Sequence, residues 1–127
     1  MMWRRNPEAA RRLAERRRRE DEAPRLTALL PKLESLGIVV QEGNPGISNP
    51  VGAHTRRVVV PTAPALFVLP CGDSQCRDGG HELTEQLLAG LRLQKLQFKG
   101  EDCCGGVIGN SECRRVLSYV VTASYRA

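Results

Sequence analysis

The sequence predicts an α+β domain: a small antiparallel sheet of four or five strands, one main helix packed on it, a zinc staple, and a basic helical arm in front. Three observations carry this prediction. Short β-branched runs alternate apolar with polar residues, residues 116–125 being the longest. One segment, residues 81–94, instead places Leu83, Leu87, Leu88 and Leu91 at helical spacing. All five cysteines fall between Cys71 and Cys113.

The arm spans residues 1–24 and the domain residues 25–127, a size at which the core is modest and a metal staple helps. Up to Arg25 there are nine arginines against five acids, a net of +4; the remainder carries ten basic and nine acidic groups, a net of +1. Basic character therefore belongs to the arm. Asn6-Pro7-Glu8 reads as a helix start, with a capping side chain, a pre-set φ and an acid at the positive end of the dipole. Helix formers continue to about Glu22, but the apolar face is only Ala9, Ala10, Leu13 and Ala14. Arg11 with Glu15, Glu15 with Arg19, Arg16 with Glu20 and Arg17 with Asp21 stand at i, i+4. Such a helix docks weakly, so it is either a solvated tether or a phosphate-contacting arm using Arg11, Arg12, Arg16, Arg17, Arg18 and Arg19.

Ala23-Pro24 separates the arm from the domain. Leu26, Leu29, Leu30 and Leu33 recur at helical spacing, with Pro31 ending or kinking a short helix. Residues 37–41 predict a first strand, a loop from Asn44 to Ala53 follows, and His54 is expected just after it, still in loop before the next strand. Residues 56–60 predict a second strand. Residues 65–69 continue it or form a third after Pro61-Thr62-Ala63-Pro64, because proline cannot donate to a sheet ladder. The main helix is expected to begin at His81, entered through Asp78-Gly79-Gly80. Residues 95–99 then alternate, with Leu96 and Phe98 inward, and the strand at 116–125 turns Leu117, Tyr119, Val121, Ala123 and Tyr125 to one face. The last two strands enclose a glycine-rich cysteine loop, which suggests a hairpin whose tip is pinned by metal.

Four thiols arriving as two pairs on different loops are what a closed tetrahedral zinc site uses. The pairs are Cys71 with Cys76, and Cys104 with Cys113; His81 and Cys103 are substitutes. Adjacent Cys103 and Cys104 do not readily face one ion, so one is expected to be a ligand and the other a bystander. The first 25 residues carry no apolar run resembling a secretory leader. A reducing, cytoplasmic setting is the expectation, in which clustered cysteines are more often metal ligands than disulfides. An odd count also fits full disulfide pairing poorly.

The functional expectation is a non-enzymatic zinc-binding module whose arm engages nucleic acid, ribonucleoprotein or an acidic protein surface. No apolar run reaches membrane-spanning length. The five aromatics are too few for a base-stacking platform. The alternatives are a cysteine-based enzyme with a nucleophilic pair such as Cys76 or Cys104 with His81, a zinc-dependent enzyme with an open coordination position and Asp73, Asp78 or Glu82 as base, and a purely structural assembly subunit.

Overall fold

A computed structural model of the chain describes residues 7–43, 52–73 and 75–127. Its elements run α1 (Pro7–Glu22), α2 (Leu26–Leu29), β1 (Leu33–Gly43), β2 (Gly52–Val58), β3 (Val68–Leu69), β4 (His81–Glu82), α3 (Thr84–Arg92), β5 (Gln97–Cys103), β6 (Val107–Ile108), β7 (Ser111–Glu112) and β8 (Val116–Tyr125). Trp3, the Asn6 cap and residues 44–51 lie outside the described residues, as do the side chains of Ala9, Ala10, Arg12 and His54. No helix among the described residues is long and apolar enough to cross a membrane.

The sheet has four strands in the order β2-β1-β8-β5, every neighbour antiparallel. Its inner face is built by period-two alternation: Leu36, Ile38 and Val40 from β1 meet Ala123, Val121 and Tyr119 from β8 in direct register. Leu83, Leu87, Leu88 and Leu91 belong to the same buried cluster, so α3 lays its apolar stripe on that face. Tyr119 keeps its hydroxyl satisfied by donating to Gln86 Oε1 at 2.7 Å. Burial, and secondarily the charge of Asp102, pushes its pKa above the ordinary tyrosine value.

Several elements differ from the sequence reading. Only Leu26–Leu29 is helical, and Leu33 begins β1, out of phase with Leu36 because the β1–β8 register shifts between Leu33 and Ser35. The strand expected at 56–60 runs from Gly52 to Val58. Of residues 65–69 only Val68 and Leu69 form a strand, and they pair with His81 and Glu82 rather than joining the sheet. His81 is thus in a strand, and the main helix begins at Thr84. Residues 95 and 96 precede β5, which leaves Leu96 at 66% exposure instead of inward.

On α1, Glu15 pairs with Arg18 at 2.8 Å, not with Arg11 or Arg19, and Arg19 reaches Glu82 at 2.7 Å. Arg16 with Glu20 is at 3.4 Å, the expected i, i+4 pair. Leu13 stays 48% exposed, as the thin apolar face of α1 requires.

Candidate metal centre

The centre is made of two loops, each closed at its neck by strand pairing. The first leaves β3 through Pro70 and returns at β4, held by the pairing of Leu69 with His81. Within it Cys76 N–H donates to Asp73 C=O at 3.1 Å, and the Asp73 carboxylate accepts from Gln75 N–H at 2.9 Å, a local turn typical of aspartate. Asp78 (φ 58) and Gly80 (φ 140) provide the left-handed turn back into β4. The second loop joins β5 to β8. Cys104 N–H donates to Arg115 C=O at 2.9 Å and Cys113 N–H to Gly106 C=O at 2.8 Å, flanking the β6–β7 ribbon. Reciprocal bonds between Arg77 and Val107, both 2.9 Å, join the two loops.

This arrangement brings the sulfur atoms of Cys71, Cys76, Cys104 and Cys113 within 4.8 Å of one another, close enough to hold a metal ion. Cys71 Sγ is 3.8 Å from Cys113 Sγ, and Cys76 Sγ is 3.6 Å from Cys104 Sγ. A tetrahedron with metal–sulfur arms of about 2.3 Å has edges of about 3.8 Å. The spacing therefore suits a single tetrahedral ion. All five cysteines are free thiols.

Cys103, one of the two substitutes, is exposed and lies outside the group. Strand parity explains it: Cys103 shares the outward face of β5 with Gln97, Lys99 and Glu101, while Cys104 turns in just past the strand end. His81, the other substitute, is fully buried, and its Nδ1 lies 2.9 Å from Asp102 Oδ2. Among the described residues no cysteine hydrogen-bonds a histidine, and Glu82 is engaged by Arg19 and by the Thr84 hydroxyl.

The backbone prepares the site for negative sulfur. Asp73 N–H points at Cys71 Sγ (3.5 Å), and Gly80 and Gly106 N–H point at Cys104 Sγ (3.3 and 3.4 Å). Burial acts to raise the Cys104 pKa, but these two N–H donors together with the neighbouring Cys76 and Cys113 thiols outweigh it and hold the thiol below its ordinary value. Burial pushes the Cys71 thiol up to about 11 and raises that of Cys76 as well.

The glycines are required by proximity. A Cβ on Gly106 would collide with Cys76 Sγ, and one on Gly79 with both Cys76 and Cys104 Sγ. Gly106→Ala is expected to displace Cys76 and weaken metal retention about tenfold or more, read as faster metal transfer to a chromogenic chelator.

Glu42, Asp102 and Arg115, absent from the sequence reading, surround the centre. Arg11, Arg16 and Arg19 line a cleft of about 820 Å³ that Cys71, Cys76 and Glu82 also line. Arg17 and Arg18 are exposed and stand outside it. Comparison of the chain with protein-family models, curated proteins and solved structures finds no match in any of the three.

Proposed function

We propose that the chain is a non-enzymatic, zinc-stapled binding module of the reducing cytoplasm, in which residues 25–127 form the platform and residues 1–24 the binding arm. The observation that carries the reading is the convergence of four free thiols from two loops. Zinc is the divalent ion best matched to four sulfur donors in a closed tetrahedron, and in such a site it is structural. Cys71, Cys76, Cys104 and Cys113 would hold it. The burial of Cys104 and Cys113 supports a stapling role over an open catalytic position.

The arm would engage a polyanion, nucleic acid or ribonucleoprotein, through Arg11, Arg12 and residues 16–19. Two features support this: basic charge is densest in this segment, eight arginines against five acids in residues 1–24, and Arg11 and Arg16 to Arg19 keep exposed or half-exposed side chains. Replacing Arg16, Arg17, Arg18 and Arg19 with alanine is expected to weaken association with a mixed-sequence oligonucleotide. The slope of log K against log salt should fall by about 0.7–0.9 for each phosphate that the arm no longer neutralises. Far-UV circular dichroism of the domain should be unchanged. An unaltered salt slope overturns the nucleic-acid role and leaves an acidic protein surface as the arm's partner.

A further inference from the structure

Beside the thiols lies a buried ionic cluster that joins the chain next to both metal loops. Glu42, on the inward face of β1, accepts a hydrogen bond from Gly72 N–H at 2.9 Å, one residue past Cys71. The same Glu42 oxygen lies 3.9 Å from Arg115 Nε, two residues past Cys113, and 3.8 Å from His81 Nε2. Arg115 also approaches Asp73 at 3.7 Å, and His81 Nδ1 meets Asp102, two residues before Cys104, at 2.9 Å. The His81 side chain is fully buried, and those of Glu42 and Arg115 are 13% and 11% exposed. Among the described residues neither His81 Nε2 nor Arg115 Nε has a hydrogen-bond partner, and the Glu42 carboxylate faces both.

Charges are costly to bury unless they are paired, and a half-satisfied cluster is costlier than an apolar one. One carboxylate here touches the backbone of the first loop and balances the arginine whose carbonyl holds Cys104 N–H in the second. We propose that Glu42 is the positioning residue of the metal centre, holding the first loop through Gly72 N–H and the second through Arg115 so that the four sulfurs converge. This inference rests on the zinc reading of the site. Groups behind the ligands tune metal affinity by roughly 10–100-fold even when every ligand is retained.

The test uses the full chain loaded with zinc and the rate of zinc transfer to a chromogenic chelator. Four proteins are compared: the natural chain, Glu42→Ala, Glu42→Gln and Val121→Ala, the last a core truncation in the same sheet at a fully buried position. Glu42→Ala should release zinc about 10–100-fold faster. Glu42→Gln keeps an oxygen for Gly72 N–H but not the charge that balances Arg115, and should release zinc at a rate between those of Glu42→Ala and the natural chain. Val121→Ala should lower the melting temperature yet release zinc close to the natural rate. The proposal is overturned by a natural rate in Glu42→Ala, by no rescue in Glu42→Gln, or by equal acceleration in Val121→Ala. A natural chain that binds no zinc at all is a different failure, that of the metal reading, and it is seen before any variant is compared.

Discussion

Chelating the metal from the native protein is expected to free the 70–80 and 104–115 loops from each other while leaving the sheet and α3 assembled. The two regions have different sources of stability. The buried cluster from Leu26 to Ala123 joins the sheet, α2 and α3 without including any cysteine. The loops have two-residue strands and lie outside that cluster, joined to each other by the Arg77–Val107 bridge, the Gly80 N–H to Cys104 Sγ contact and the polar groups around Glu42 and Arg115. Structural zinc contributes about 10–16 kcal/mol of apparent binding free energy in small domains, comparable with the whole stability of a typical domain. Hydrogen exchange should therefore show Arg77, Cys104, Val107 and Cys113 amides losing protection on chelation, while the β1–β8 ladder keeps its own.

Thiol labelling should give the same result chemically. Before chelation Cys103, the exposed thiol, should react first; afterwards the four clustered thiols should follow. The pH dependence also has a definite sign. With the thiols of Cys71 and Cys76 raised, chiefly by burial, both carry protons at neutral pH, and metal must displace them. Apparent zinc affinity should therefore rise with pH and fall in acid, with proton release measurable by calorimetry in buffers of different ionisation enthalpy.

Leu87→Ala is expected to cost about 2–5 kcal/mol, because its side chain is completely buried where the one main helix meets the sheet. At about 4 °C per kcal/mol for a domain of this size, the melting temperature should drop by about 8–20 °C. Leu93→Ala is the control. That residue, just past the same helix, is 71% exposed, and its truncation should stay within about 0.5 kcal/mol. Equal losses in the two variants would mean that α3 does not bury the face assigned to it.

Where a period ran uninterrupted, the sequence was a good guide. Residues 116–125 alternate except at Val116 and Val120 and form β8 over the same bounds. Leu83, Leu87, Leu88 and Leu91 are the buried stripe at α3. The failures lie where a period says nothing about an element's start. Leu83 has the helical spacing, yet the two residues before it pair with β3, so His81 is a strand residue. Leu96 has the right parity for β5 but precedes its first paired residue. A register shift hid Leu33 from the strand to which it belongs.

The cysteine pairs could be read from their two-loop spacing. Which of Cys103 and Cys104 turned inward needed β5 to be extended through Asp102, a step that Gly100-Glu101-Asp102 discouraged because such residues are poor strand formers. Glu42 and Asp102 did leave a trace: each continues the inward parity of its strand, after Val40 and Phe98 respectively. A carboxylate at a core-facing strand position implies a buried partner. For Glu42 that partner, Arg115, lies far off in sequence and beside it in space.

Elemental analysis of the purified chain is the most direct test of the convergence of Cys71, Cys76, Cys104 and Cys113 on one ion. One zinc per chain is predicted, retained through dialysis and lost in Cys104→Ser, with Cys103→Ser unchanged. A folded chain that holds no zinc, and melts at the same temperature with and without chelator, would contradict the account.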